Sequence, residues 1–199
     1  MAKRFFDLLC AVVGLLLLAP LLLGIALWIK LDSRGPVFFR QQRVGRAGVL
    51  FRIHKFRTMV ADAPMLGAQI TVGADPRITR AGRFLRRSKL DELPQLLDVL
   101  AGSMSLVGPR PEVPHYVAMY PSSLRAKVLS VRPGITDRAS IEFRNEGALL
   151  AAAADPEREY VEVVLPAKLR FAVDYVDHAT LAYDLRLLAR TLKTLLLGR

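Results

Sequence analysis

The chain has 199 residues, a net charge of +11 and a pI near 10.4, and 52% of its residues are hydrophobic. This length is enough for one domain with its own core, and a single cysteine excludes an intramolecular disulfide and a multi-cysteine metal site. The basic charge indicates an anionic partner. A positive mean hydropathy is unusual for a nucleic-acid-binding protein, so we expect a membrane-associated chain and no nucleic-acid partner.

The first predicted element is an uncharged apolar run of 22 residues from Leu8 to Ile29, long enough to cross a bilayer, which needs about 20 residues. Pro20 lies near its middle and predicts a kink or break, because proline lacks a backbone donor. Lys3 and Arg4 precede the run and Lys30 follows it. Positive residues prefer the cytoplasmic face, which favours a hairpin that enters and leaves by that face, but a true span stays open.

Asp7 stands at the edge of the apolar run, three residues after Arg4. One helical turn would bring the two side chains together, so the spacing predicts a pair. Asp7 is then either a simple end cap of the apolar helix or an anchor that fixes the helix at the level of the headgroups.

Residues 37–44 and 49–59 are rich in Val, Phe and Ile and are separated by two glycines, which predicts a β-hairpin. Lys55 and Arg57 fall on one face of the second strand. They can act together on a phosphate, or they can form a solvated strand face.

The most informative feature is the carboxylate pair Asp91 and Glu92, which follows six cations and no acid between Arg77 and Lys89. The pattern predicts a basic helix over 78–87, then an amphipathic helix over 90–100 whose dipole keeps the pair ionised. Such a pair can bind a divalent cation or act as a nucleophile while arginines hold phosphate oxygens. A solvated acidic couple is the alternative.

Further helices are predicted over 114–129, 156–175 and 181–197. The last has leucines on one face, and it can pack on the core or lie on the membrane surface. We expect core packing with a basic rim at the lipid. The predicted fold is mainly α with a small β-hairpin, divided into a membrane segment over 1–30 and a catalytic domain over 31–199.

Five short motifs occur in order along the chain: KRFFD at 3–7, KFRTM at 55–59, SKLDELPQL at 88–96, SMSLVGPRP at 103–111 and VRPGIT at 131–136. Each motif alone is weak, but the ordered set covers nearly the whole chain. In this respect the sequence strongly resembles the bacterial sugar transferase family, the monotopic phosphoglycosyl transferases.

The resemblance implies an N-terminal re-entrant membrane helix-break-helix, with Pro20 at the break, packed on a cytoplasmic catalytic domain with interfacial amphipathic helices. Lys3, Arg4 and Asp7 would anchor the hairpin at the inner membrane. It also implies transfer of sugar-1-phosphate from a UDP-sugar to polyprenol (undecaprenyl) phosphate with release of UMP. This Mg²⁺-dependent, ping-pong reaction is the first membrane step of bacterial glycoconjugate and exopolysaccharide assembly.

On the family pattern, Asp91 is the nucleophile that forms an aspartyl phosphosugar, and Glu92 holds Mg²⁺ beside it. Arg110 clamps a phosphate with a two-pronged geometry that lysine cannot copy, and Arg86 steadies the carboxylates. The remaining candidate phosphate ligands are Lys55, Arg57, Arg132 and Arg144.

Two stretches depart from the family pattern: Ala19 precedes Pro20 where the family often has serine, and residues 137–146 match poorly before an alanine-rich stretch. The sugar preference therefore cannot be borrowed from relatives. A Mg²⁺-dependent lipid phosphatase and a non-catalytic scaffold that binds anionic lipid are the alternative functions. Basic charge with apolar surface is compatible with contact to inner-membrane phospholipids or with a homodimer.

Overall fold

A computed structural model describes residues 2–63, 66, 71–73 and 75–197. The helices in this part of the chain are α1 (Ala2–Asp32), α2 (Arg80–Ser88), α3 (Leu96–Ala101), α4 (Pro114–Ala118), α5 (Ser122–Val128), α6 (Arg138–Glu142), α7 (Glu146–Ala151), α8 (Pro156–Glu159), α9 (Leu165–His178) and α10 (Leu181–Leu197). The strands are β1 (Phe38–Phe39), β2 (Gln42–Val44), β3 (Leu50–Arg52), β4 (Lys55–Phe56), β5 (Ser105–Val107) and β6 (Gly134–Thr136). The prediction of a mainly helical fold with small sheets is confirmed.

The predicted β-hairpin is present, interrupted in the middle but in one register. Strand β1 pairs with β4 through Phe38 and Phe56, and β2 pairs with β3 through Val44 and Leu50, all antiparallel. The opposed residues of both pairs keep the same sequence relation, so the four strands act as one long ribbon. The end of the ribbon that is formed by β1 and β4 lies against the carboxylate segment.

Helix α1 is long and apolar enough to cross a membrane, judged by its length and composition. It continues through Pro20 without interruption, so the predicted division into two helices is not found. Proline removes one donor, but the residues on both sides of it stay packed against the rest of the protein. Pro20 itself is exposed, on the side that faces away from the domain.

One narrow stripe of α1 contacts the domain along the whole helix. Asp7, Ala11, Ile25 and Ile29 are buried, whereas most of the large apolar side chains on the other faces are exposed. The spacing of the stripe is that of one helix face, with every third or fourth residue directed inward. Leu16, Leu17, Leu23 and Leu31 are each more than two-thirds exposed.

Both ends of α1 are hydrogen-bonded to the same domain. Near the N-terminus, Asp7 accepts hydrogen bonds from the Ser105 hydroxyl at 2.8 Å and from the backbone N–H of Leu106 at 3.2 Å. At the C-terminus, Asp32 accepts from the backbone N–H of Ala81 at 3.0 Å. The domain therefore lies alongside the helix rather than beyond one of its ends.

The predicted pair between Arg4 and Asp7 is wrong. Arg4 donates to the carbonyl of Leu100, while Lys3 lies 3.9 Å from Asp7 and 2.6 Å from Asp184 of α10. Lys3 and Arg4 are four and three residues before Asp7, and both spacings allow a pair on one helix face. The contacts of each side chain with the domain decide which of them lies beside Asp7. Lys3 thus ties the start of the apolar helix to the last helix of the chain.

The carboxylate segment is not one regular helix, as the sequence pattern suggested. Residues Leu90–Gln95 form a 3₁₀ helix, and α3 begins only after it. Pro94 has no backbone N–H and cannot close an α-helical turn onto Leu90, and the regular α-helix begins only after it. The predicted end of this segment at Gly102 is confirmed, because that glycine has a φ of 88°.

The predicted helix over 114–129 is divided at Pro121 into α4 and α5, whereas α8 and α9 are joined by a single π-helical stretch, Tyr160–Val164, into one continuous helix. The last helix, α10, buries Asp184 and Leu187 instead of its predicted leucine face. The exposed leucines of that face are Leu181, Leu185, Leu192 and Leu195. Leu188 of that face packs against the core, so the predicted core packing holds at this residue and is wrong for the other four leucines.

Candidate active site

The two carboxylates lie where the end of the hairpin meets the 3₁₀ helix. Lys89 precedes this helix in the left-handed conformation, with a φ of 59°, and turns the chain from α2 into it. Asp91 is 2% exposed. The ammonium of Lys55 on β4 lies 2.9 Å from Asp91 Oδ2 and 3.2 Å from Glu92 Oε1. One lysine therefore bridges the carboxylate pair that the sequence singled out.

Arg110 holds Glu92 from the opposite side with both terminal nitrogens. Its Nη1 lies 2.9 Å from Glu92 Oε2, and its Nη2 contacts Oε1. The backbone N–H of Arg110 donates to Asp137 at 3.2 Å, which fixes the start of the side chain. Two parallel charge-assisted hydrogen bonds set the orientation of a carboxylate as well as its position.

A close approach of two strands places Arg110. Strands β5 and β6 are parallel, and the backbone N–H of Gly134 donates to Pro109 at 3.0 Å. A Cβ atom added to Gly134 would meet the backbone N of Gly108 at 2.1 Å. No side chain fits between these segments, so glycine is required for this approach. Replacing Gly134 would displace the Pro-Arg-Pro segment.

The electrostatics of the site favour an ionised Glu92. Burial raises the pKa of Glu92, but the positive charges of Arg110 and Lys55 lower it further, and the net result lies well below the ordinary value. The charge of Glu92 raises the pKa of Arg110 in return. Burial lowers the pKa of Lys89, because its ammonium has lost part of its contact with water. An anionic ligand beside it would stabilise the charged form.

Asp91 keeps one oxygen unused. Its Oδ2 contacts Lys55, while its Oδ1 is buried and has no hydrogen-bond partner among the described residues. An unpaired buried carboxylate oxygen costs stability, so its presence at a cleft marks a reactive or ligand-binding atom. This oxygen can attack an electrophile or coordinate a metal ion.

A magnesium ion fits this arrangement only through ligands shared with a substrate. Within the part of the chain that the structure describes, no group of three or more His, Cys, Asp or Glu side chains is placed to hold one metal. Mg²⁺ is commonly bound through one or two carboxylates plus substrate phosphates. Asp91 offers its free Oδ1. The two oxygens of Glu92 can accept about four hydrogen bonds and receive three, one from Lys55 and two from Arg110, so one acceptor position is left for a metal ion.

Arg86 reaches the same region from α2. Its Nε donates to the Thr58 hydroxyl at 2.8 Å, and burial lowers its pKa while the charge of Asp91 raises it. A Cβ atom added to Gly82 would lie 1.9 Å from the carbonyl of Thr58, so only glycine allows α2 to pack this closely. The terminal nitrogens of Arg86 stay available for a ligand.

Arg57 is not available as a phosphate ligand, contrary to the prediction from its strand position. It is 4% exposed, and its guanidinium donates to four backbone carbonyls at the end of α1 and just beyond it. The acceptors are Ile29 at 3.4 Å, Ser33 at 2.8 Å, Arg34 at 2.7 Å and Pro36 at 2.6 Å. Arg57 therefore satisfies carbonyls that a helix C-terminus leaves unpaired.

The other two predicted arginines lie at different distances from this chemistry. Arg132 donates through Nε to the carbonyl of Gly102 at 2.8 Å and does not line the cleft described below, so its predicted phosphate role is not supported. Arg144 lines the cleft, and its Nη1 donates to Thr194 of α10 at 2.9 Å. Lys89 was missed as an individual candidate, although it belongs to the SKLDELPQL motif and stands two residues before Asp91.

A cleft of about 1400 Å³ extends from the carboxylate pair across the domain. Its cationic wall near the pair is formed by Lys55, Arg86, Lys89 and Arg110. The cleft is large enough for a ligand of nucleotide-sugar size, since ligand sites are typically 300–1,000 Å³. The site thus combines one free carboxylate oxygen, several cations and room for a large anion.

The chain matches the model of the bacterial sugar transferase family over residues 1–198. A UDP-N-acetylgalactosamine-undecaprenyl-phosphate N-acetylgalactosaminephosphotransferase of Aeromonas hydrophila is 38% identical over 98% of this chain and 44% of its own length. A UDP-glucose:undecaprenyl-phosphate glucose-1-phosphate transferase of Xanthomonas campestris pv. campestris is 40% identical over 96% of this chain and 38% of its own length.

A third relative is similar in length to the chain itself. The exopolysaccharide production protein PSS of Rhizobium leguminosarum bv. phaseoli is 39% identical over 95% of this chain and 92% of its own length. The chain therefore spans less than half of the first two relatives and nearly all of the third.

Proposed function

The chain belongs to the bacterial sugar transferase family, and on that premise we propose that it transfers a sugar-1-phosphate from a UDP-sugar to undecaprenyl phosphate. The products are undecaprenyl-diphosphate-sugar and UMP. Two of the relatives are named for such transfers to the same lipid. The observation that carries the proposal here is the free Oδ1 of Asp91 inside a ring of cations.

The first step is nucleophilic attack by Asp91 on the phosphorus that carries the sugar. A bond forms between Oδ1 and that phosphorus, and the bond from the phosphorus to the UMP oxygen breaks, so UMP leaves with the electron pair. The aspartyl phosphosugar retains the sugar. A covalent intermediate divides one difficult displacement into two easier ones.

In the second step, an oxygen of the lipid phosphate attacks the same phosphorus. The bond to Asp91 breaks, the carboxylate is regenerated, and the lipid diphosphate leaves. Because UMP departs before the lipid attacks, the kinetics are ping-pong. The same buried oxygen serves in both steps, so it must stay free of permanent hydrogen bonds.

The cations supply charge stabilisation where negative charge gathers on the phosphates. Arg86 and Lys89 are free to bind phosphate oxygens, while Lys55 and Arg110 hold the carboxylates in place and border the transferred group. Fixed charges in a desolvated site stabilise a transition state without reorganisation. Mg²⁺ is the proposed cofactor; Glu92 would hold it together with substrate phosphate oxygens, and it would neutralise the diphosphate while Oδ1 of Asp91 is left for the attack.

The membrane arrangement we propose is re-entrant in the sense that both ends of the continuous helix α1 lie at the cytoplasmic face, with residues 1–30 as the membrane segment and 31–199 as a catalytic domain at that face. Helix α1 is about 45 Å long, but hydrogen bonds tie Asp7 and Asp32 to the same domain. A straight span would carry one of these ends to the opposite face. The exposed apolar faces of α1 and α10 would contact inner-membrane phospholipids.

The function is tested by incubating the purified chain with Mg²⁺, undecaprenyl phosphate and a panel of UDP-sugars while UMP is measured. We expect UMP release that depends on the lipid for multiple turnovers and is lost on chelation with EDTA. Absence of UMP with every sugar, from folded protein, would contradict the transferase. Release of inorganic phosphate from the lipid alone would indicate a lipid phosphatase instead.

The topology is tested with single cysteines at three exposed positions in a Cys10→Ala background. Ala2→Cys and Lys30→Cys mark the two ends of α1, and Leu17→Cys marks its middle. In intact spheroplasts, an impermeant thiol reagent should label none of them, and after lysis it should label both ends but not the middle. Labelling of only one end before lysis would establish a span.

A further inference from the structure

A second cluster of charged side chains lines the cleft, away from the carboxylate pair, and the proposed mechanism does not use it. Lys168 of α9 lies 2.6 Å from Glu146 Oε2 and 3.7 Å from Glu112 Oε1. The Tyr160 hydroxyl donates to Glu112 at 2.7 Å. All four residues border the cleft.

This cluster is continuous with the phosphate end of the cleft. Glu112 follows Arg110 by two residues, so the same short segment contributes to both clusters. Arg43 contacts this segment: it donates to the carbonyl of Pro111 at 3.0 Å and approaches Glu112 Oε2 at 3.7 Å. A ligand whose phosphorus is held at Asp91 can therefore extend to this cluster.

The charge of the cluster differs from that of the phosphate end. Glu112 and Glu146 carry two negative charges, and Lys168 and Arg43 carry two positive charges, so the cluster is neutral as a whole. A neutral set of strong donors and acceptors suits an uncharged ligand that both donates and accepts hydrogen bonds. Hydroxyl groups have this property, whereas phosphate groups prefer the cationic end.

One member of the cluster, Glu146, belongs to the stretch in which the sequence departs from the family pattern. Glu146 begins α7, within the divergent and alanine-rich residues 137–155, and residues 144–148 line the cleft. The ion pair with Lys168 connects this stretch to α9. A sequence difference here therefore alters the wall of the cleft rather than a remote loop.

We propose that Lys168, Glu146 and Glu112 form the subsite that binds the hydroxyl groups of the transferred sugar and selects among UDP-sugars. This inference rests on the proposed function, because it names the part of the same cleft that receives the sugar. Lys168 donates to one hydroxyl, and the carboxylates accept from others. Tyr160 and Arg43 keep Glu112 in place.

The test compares the parent chain with Glu146→Gln and Lys168→Met, since both side chains are partly accessible and the variants are expected to fold. For each protein, KM and kcat are measured by UMP release with the preferred UDP-sugar and with epimers that differ at one hydroxyl. The inhibition constant of UDP, which has no sugar to bind, is measured alongside. Glu112 is more deeply buried and is left intact.

We expect KM for the preferred UDP-sugar to rise about tenfold or more, because a hydrogen bond to a charged group is lost. The KM for at least one epimer should change much less, so that the preference for one UDP-sugar over the others becomes smaller or reverses. The inhibition constant of UDP should stay within about twofold of the parent value. This combination is expected from a sugar subsite and not from a general loss of structure.

A matched control is Glu162→Gln, which removes a carboxylate from an exposed ion pair with Arg158, next to α9. It should leave the sugar ranking unchanged. A uniform loss with every UDP-sugar in the cleft variants would overturn the subsite and indicate a structural role. Weaker UDP inhibition with an unchanged ranking would place the nucleotide there instead. A parent chain that turns over no UDP-sugar would refute the proposed function first.

Discussion

Lys55 and Arg57 are separated by one residue on the same segment, yet the first contacts two carboxylates at a cleft and the second contacts four backbone carbonyls. Both are basic, and the strand pattern places them on one face. The difference lies in what each charge faces. Lys55 belongs to the candidate catalytic machinery, and Arg57 joins the end of the apolar helix to the domain.

This comparison shows that a cation near a carboxylate pair is not automatically a substrate ligand. The donors of Arg57 are directed to carbonyls left unpaired at the end of α1, so few remain for a phosphate. Arg86, in contrast, donates through its Nε to Thr58, and among the described residues its terminal nitrogens have no hydrogen-bond partner. Variants of the two regions should therefore separate loss of activity from loss of stability.

The largest expected effect is that of Asp91→Asn. An amide oxygen is a poor nucleophile, so turnover should fall by at least about a thousandfold. The protein is incubated with UDP-sugar, quenched and analysed by mass spectrometry. The phosphosugar adduct should be present in the parent chain and absent from the variant. An adduct that persists in Asp91→Asn would assign the nucleophile to another residue.

Arg110→Lys is expected to come next. A single ammonium cannot reproduce the two-pronged contact with Glu92, so kcat/KM should fall about a hundredfold while the fold is retained. Arg132→Lys is the matched control, because Arg132 contacts Gly102 outside the cleft and should keep nearly full activity. Equal losses in both variants would contradict the distinction between the two arginines.

Arg57→Met tests the anchoring side of the comparison. It leaves several carbonyls without donors and should destabilise the fold by about 3 kcal/mol, seen as a lower Tm in detergent. Lys55→Met should differ by a strong loss of kcat that persists at temperatures well below its Tm, because Lys55 contacts both carboxylates of the site. If Arg57→Met retained the parental Tm but lost activity, Arg57 would be a substrate ligand after all.

The smallest expected effect is a dependence of Tm on pH that is caused by the titration of Glu92. Its folded pKa is lowered by Arg110 and Lys55 against the opposing effect of burial. The stabilisation is therefore fully present above the unfolded pKa of about 4.3 and is lost as pH falls towards the folded pKa. Tm should be higher for the parent than for Glu92→Gln at pH 7, and the gap should narrow below about pH 4. A constant gap would exclude this linkage.

Local patterns in the sequence predicted much of this protein correctly. Two stretches rich in Val, Phe and Ile with glycines between them indicated the hairpin, and the leucine spacing indicated α10, because both signals depend on residues close together in the sequence. The carboxylate pair stood out through the basic run before it. The ordered motifs pointed to the same family that the comparison found.

The division of labour among the cations was decided only by the tertiary structure. Arg110 reaches Glu92 across 18 positions, Lys55 reaches it across 37, and Lys3 rather than Arg4 lies beside Asp7. The pairing of Arg110 depends on the parallel strands, that of Lys55 on the contact between the hairpin and the 3₁₀ helix, and the choice of Lys3 over Arg4 on their contacts with α10 and Leu100. The sequence by itself determined which charged side chains exist and which elements carry them. Packing decided which charge faces a carboxylate, which faces a carbonyl and which stays free, because long-range contacts fix where each donor is directed.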